Sequence, residues 1–241
     1  MSATHATTGH HEALHHQFDD LEQQREAYSM GMWAFLINEV MFFGGLFLLY
    51  IVFRYKFPVA FEDASRHLNL TISAANTVIL LTSSLTIALA VRAAQLGQRK
   101  SIVGFLTVTL ILCMAFLGLK SYEYYEEYVE GLIPGPNFTY ESSAAHGGEA
   151  AHSEGVAADA APEVNPLHAE LFFTIYFIMT GFHALHMILG AVALVVLIVL
   201  ARRNWFPPED YAPIEMMGLY WHFVDIVWIF LFPLLYLIDR G

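Results

Sequence analysis

Apolar residues in this chain are gathered into five long runs, with polar stretches between them. The runs are Gly31–Phe53, Leu70–Val91, Ile102–Leu119, Leu171–Leu200 and Met216–Ile238. A helix needs about 20 mostly apolar residues to cross roughly 30 Å of hydrocarbon, and each run is near or above that length. The pattern predicts an all-α fold, a polytopic membrane helical bundle with five transmembrane helices at about 31–53, 70–96, 101–128, 168–201 and 214–238. The second run is the least apolar and is rich in small residues, among them Ser73, Ala74, Ala75, Ser83 and Ser84.

The polar stretches set the rest of the organisation. Residues 1–29 read as a polar, histidine-rich tail carrying His5, His10, His11, His15 and His16, without the basic-then-apolar order of a cleavable signal. Residues 30–241 read as a single membrane domain. Within it, a loop over about 139–166 is built from Ala, Gly, Glu and His and is expected to be flexible, acidic and on the outer side. Lys and Arg flanks favour a cytoplasmic N-terminus. Arg25, Arg92, Arg99, Lys100, Arg202 and Arg203 fall on that side, against Arg54, Lys56, Arg66 and Arg240 with Lys120 at a helix end. The C-terminus is then expected outside.

Composition narrows the class. Of 241 residues, 56% are hydrophobic and only 14% charged, where soluble domains carry about 25% charged residues. The net charge of −12 with no basic stripe argues against a nucleic-acid partner. The single cysteine, Cys113, excludes an intrachain disulfide framework and zinc sites built on cysteine pairs. No nucleotide loop or nucleophile triad is present.

Ionisable groups inside hydrocarbon cost about 2.5–3.5 kcal/mol each on insertion scales, so they face a bundle interior and act there. Glu39 lies deep in the first run. It reads either as a proton- or lipid-linked group or as a structural hydrogen bond between helices. His183 and His186 are spaced to share one helix face, as are His222 and Asp225. A metal or haem is one reading of these histidines and hydrogen bonding inside the bundle is the other. Neither His183 nor His186 has the glutamate three residues earlier that di-metal bundles use. Glu123, Glu126 and Glu127 close the third run among Tyr122, Tyr124, Tyr125 and Tyr128, a cluster that reads as a boundary belt, with Glu123 the carboxylate nearest the span. From the residues alone, a transporter, an assembly factor and a complex subunit all stay open.

Five segments in order also resemble one family. They are Ile37-Asn38-Glu39-Val40-Met41-Phe42-Phe43, Asn76-Thr77 with Leu80-Leu81-Thr82-Ser83-Ser84, Glu123-Tyr124, Gly181-Phe182-His183-Ala184-Leu185-His186, and Tyr220-Trp221-His222-Phe223-Val224-Asp225. Together they are similar to subunit III of haem–copper oxidases, in the five-helix bacterial form. Asn38 and Lys120 stand where many members have Ser and Gln.

The resemblance implies a non-redox subunit of a proton-pumping cytochrome c oxidase in the bacterial inner membrane. Such a subunit has no catalytic centre, haem, copper or other metal of its own, since haem and copper sit in partner subunits. It packs beside the catalytic subunit I and the copper-binding subunit II, binds phospholipid, stabilises the enzyme and supports proton uptake. Cytochrome c or a larger respiratory supercomplex are further partners. The resemblance implies that Glu39 bonds a histidine across the bundle, with His222 and His183 as candidates. A quinol oxidase subunit III and a nitric-oxide-reductase homologue are alternatives, and a stand-alone proton or ion carrier is an alternative of another class.

Overall fold

The computed structural model describes residues 18, 20–135, 138–140, 165–203 and 211–237. The histidine-rich segment with His5 to His16, the loop over 141–164 and Arg240 lie outside the described residues. Six helices carry the fold among those described. They are α1 (Leu21–Lys56), α2 (Pro58–Arg66), α3 (Leu70–Gln95), α4 (Arg99–Val129), α5 (Pro166–Arg202) and α6 (Ala212–Tyr236). All but α2 are long and apolar enough to cross a membrane. The chain is a multi-pass helical membrane protein.

Two boundaries differ from expectation, each for a local reason. Helix α1 begins at Leu21, inside the segment expected to be a tail. Asp20 caps it by accepting from the Gln23 N–H at 2.7 Å, Glu22 lies in the positive first turn, and strong helix formers follow. At 36 residues, α1 is about 54 Å long, well beyond the hydrocarbon thickness. The nine-residue helix α2 was not anticipated. Pro58 opens it, where a missing N–H costs nothing, and Ala60, Phe61, Ala64 and Ser65 form its buried face.

Helices α3 to α6 form a closed bundle in which α3 meets α4 and α6, and α5 meets α4 and α6. Their buried positions follow a seven-residue rhythm. In α3 they include Ser73, Asn76, Leu80, Ser83, Ile87, Ala90 and Ala94. In α4 they are Ile102, Leu106, Thr109, Cys113, Phe116, Lys120, Glu123 and Glu127. Alternating steps of three and four keep one stripe turned to the partner helix. The small side chains of the α3 stripe allow close approach, as in other membrane helix pairs. A tight hairpin joins α3 to α4: Gly97 adopts φ +68°, and the Gln98 N–H returns to the Ala93 carbonyl at 2.9 Å. That left-handed turn favours glycine.

The α5–α6 contact is tight at Gly190. A Cβ at Gly190 would sit 2.9 Å from Trp221 Cζ3 and 3.0 Å from Tyr220 Cε1. Both Trp221 and Trp228 are fully buried in the bundle. Outside the bundle, α1 leans mainly on α6 and more lightly on α5, while α2 packs on α5 through Phe61 and Phe172, whose rings are 5.3 Å apart. The apolar window of α1 is the least buried of the five, at 17% against 44% for α6.

Candidate functional site

The polar residues of the spans fall into three groups, beginning between α1 and α5. His186 Nε2 lies 3.1 Å from Glu39 Oε2, and His186 Nδ1 lies 2.8 Å from the Phe182 carbonyl one turn back. A carbonyl only accepts, so the Nδ1 proton points to Phe182 and Nε2 is left for Glu39. The pair therefore holds one shared proton, on the carboxyl or on Nε2. The partner of Glu39 is His186, rather than the expected His222 or His183. Tyr220 donates to the His186 carbonyl at 2.8 Å and steadies the helix there. Glu39 and His186 stand in the wall of an open cavity of about 600 Å³, otherwise lined by Met32, Phe35, Leu189, Val196, Met216 and Tyr220. Among the described residues that line it there is no Lys or Arg.

The second group lies inside the bundle toward the far end of α4. Lys120 and Glu123 are each 2% exposed. Lys120 Nζ donates to Glu123 Oε2 at 3.1 Å, to the Tyr176 hydroxyl at 2.9 Å and to the Tyr236 hydroxyl at 2.7 Å. Both hydroxyls then donate to Glu123 Oε1, at 3.1 and 2.5 Å. Every ammonium proton is used and the carboxylate charge is met from both sides, which is what a buried ion pair requires. Glu127 lies one turn on, beside Tyr176 and 4% exposed. The expected tyrosine belt divides: Tyr122, Tyr125 and Tyr128 face outward, while Tyr124 turns inward and bonds Thr180 at 2.7 Å.

The third group is at the centre of the bundle. His183 is 1% exposed, 5.1 Å from the Trp228 ring and 5.7 Å from Phe116, centroid to centroid. His183 and His186 share a helix but serve different neighbours. His222 Nδ1 pairs with Ser84 Oγ at 2.8 Å, and Asp225 lies beside Ser84, 3% exposed. Trp221 and Trp228 donate to Ser83 at 3.0 Å and Thr77 at 3.1 Å. Asn76 is fully buried next to Thr77.

Lys120, Glu127 and Asn76 are the site residues that sequence reasoning did not single out. The first two sit in the α4 stripe at the spacing of its apolar positions, and that rhythm was the available signal. Among the described residues, no group of three or more His, Cys, Asp or Glu side chains could hold a metal ion.

Outside the spans, Tyr140 donates to Asp63 Oδ2 at 2.7 Å and meets the His67 ring edge-on at 5.3 Å. Burial, and then the Asp63 carboxylate, push the Tyr140 phenol well above its usual range. This contact ties the segment after α4 to α2.

This order of buried groups along five spans can be set against known families. The sequence model of cytochrome c oxidase subunit III matches residues 11–131 and 166–239. The chain belongs to the cytochrome c oxidase subunit III family. Cytochrome c oxidase subunit 3 of Corynebacterium diphtheriae is 31% identical over 213 residues, covering 88% of each chain. The probable cytochrome c oxidase subunit 3 of Nocardia farcinica is 31% identical over 210 residues, covering 87% of each. A probable quinol oxidase subunit 3 from Staphylococcus aureus is 24% identical over 220 residues, covering 91% of this chain and 93% of its own. As a member of the subunit III family, the chain is part of an oxidoreductase complex, in association with other oxidase subunits.

Proposed function

We propose that this chain is the non-redox subunit III of a terminal cytochrome c oxidase that reduces O2 to water and pumps protons. Its partners in this reading are a catalytic subunit I and a copper-binding subunit II, which hold the haem and copper. Cytochrome c or a larger respiratory supercomplex are further partners. The complex lies in a bacterial inner membrane with the N-terminus cytoplasmic, as the Lys and Arg flanks favour.

The observation that carries this reading is the Glu39–His186 pair. It joins α1 to the bundle at the wall of an open, apolar cavity. A phospholipid acyl chain fits the cavity's apolar lining, and a headgroup phosphate would lie away from this cation-free wall. The shared proton gives the subunit a group with which to support proton uptake by its partner. The test is mild-detergent purification through a tag on this chain, with an optical spectrum and mass spectrometry of what comes with it. Haem bands together with catalytic and copper-binding subunits are expected. A colourless, solitary, folded chain would overturn the proposal and move a stand-alone carrier to first place.

The Staphylococcus aureus relative favours one second reading, the same role in a quinol oxidase. Haem in the purified complex without a copper-binding subunit would support it.

A further inference from the structure

The centre of the bundle contains polar groups that the protein itself does not satisfy. Both side-chain atoms of Asn76, both ring nitrogens of His183 and both carboxyl oxygens of Asp225 are buried, and among the described residues none meets a partner at full hydrogen-bond distance and angle, Ser84 being the nearest to Asp225. The three residues are 0%, 1% and 3% exposed. In hydrocarbon an unmet polar group is costly, and buried polar atoms are met by protein or by bound water.

Trp228 connects the three helices that carry these groups. Trp228 of α6 touches His183 of α5 and bonds Thr77, the neighbour of Asn76 on α3. Asp225 lies three residues before Trp228 on the same helix. A water needs two to four polar partners, and these three residues offer six atoms of both donor and acceptor kind. They also have a route outward. Asp225 lies beside Ser84, Ser84 bonds His222, and His222 lines a second open cavity of about 410 Å³ with Glu215 and Ser29. On its other flank, the Lys120 ammonium lies 5.5 Å from the Trp228 ring.

We infer that Asn76, His183 and Asp225 form an internal water-binding site around Trp228, reached from the cavity at His222. The ligand is a small cluster of exchangeable water. It supplies the hydrogen bonds that hold α3, α5 and α6 together at this level. It also brings His183 and Asp225 into exchange with the aqueous side that His222 faces. The inference rests on the bundle's own side chains and does not depend on which electron donor the complex uses.

The test is radiolytic hydroxyl-radical footprinting of the assembled complex in lipid nanodiscs prepared in H2 18O, read by mass spectrometry of this chain. Radicals formed from bound water oxidise the side chains that touch it. Trp228 and His183 are expected to be labelled within about tenfold of exposed aromatic residues, with 18O incorporated. Phe61, equally buried but ringed by Tyr50 and Phe172, is expected to stay unlabelled. Asn76→Leu is expected to lower Trp228 labelling to the Phe61 level. Trp228 and His183 labelled no more than Phe61 in the wild-type complex would overturn the inference, whether or not the variant assembles. Unchanged Trp228 labelling in a folded Asn76→Leu complex would also overturn it.

Discussion

Replacing Lys120 by Met leaves the Glu123 carboxylate 2% exposed, still hydrogen-bonded by Tyr176 and Tyr236 but with no cation. The two phenol oxygens each lose the ammonium proton they accept. Removing one partner of a buried ion pair costs about 3–5 kcal/mol, because the other charge stays behind. The double variant Lys120→Met with Glu123→Gln removes both charges. The Gln carbonyl still accepts from the two tyrosines, so only ordinary hydrogen bonds are lost, worth about 0.5–1.5 kcal/mol each. The double variant is therefore expected to be more stable than Lys120→Met alone, because no uncompensated charge stays buried. Cys113 provides the assay, being the single cysteine of the chain and buried. Pulsed thiol labelling of the complex across a denaturant series, read on the Cys113 peptide, gives the unfolding midpoint of this chain. The reasoning fails if the single variant costs less than about 1 kcal/mol, or if the double variant is no more stable than the single.

Other outcomes follow from the same geometry. Gly190→Ala should destabilise the chain by about 1–3 kcal/mol in that labelling assay, because its Cβ would press on Trp221, which Ser83 holds in place. Gly181→Ala meets nothing within 4 Å and should be neutral or gain roughly 0.5–1 kcal/mol. Glu39→Ala should shorten the working lifetime of the oxidase modestly and leave the haem spectrum unchanged, and loss of haem would contradict the role proposed. Tyr140→Phe should speed proteolysis of the segment after α4, measured against wild type. Because the Tyr140 phenol is raised, its contribution is complete below the ordinary tyrosine value of about 10 and fades only at higher pH. Release of that segment already at pH about 10 would contradict this.

The spans were legible because length and hydropathy alone decide what crosses a bilayer, and all five runs coincide with long helices. Helix α2 was not legible on that basis. It is nine residues long, and its Phe61 face needs α5 before it is buried. The start of α1 was hidden by the polar residues after Asp20, which suit a helix projecting into water as well as they suit a coil. Among site residues, Glu39 stood out because a carboxylate deep in an apolar run has few readings. Which histidine meets it depends on how α5 is rotated, and a shift of three residues between His183 and His186 changes the neighbour entirely. Lys120 stood just past the apolar run that stops at Leu119, yet the buried stripe of α4 continues through it to Glu127.

The light attachment of α1 bears on how the protein is made. Its main ties are to the last two helices: Glu39 meets His186, 147 residues later, and the Tyr50 hydroxyl donates to the Leu234 carbonyl, 184 residues later. Of the five spans, α1 is synthesised first, and its docking surface is synthesised last. While the rest of the chain emerges from the ribosome, α1 stays a lone helix in lipid with its carboxyl unmatched. Hairpin α3–α4 needs no such delay, since a three-residue turn joins its partners. The contacts therefore let the middle of the chain pair before its first span docks. Among the five spans, α1 thus waits longest for the helices it bonds.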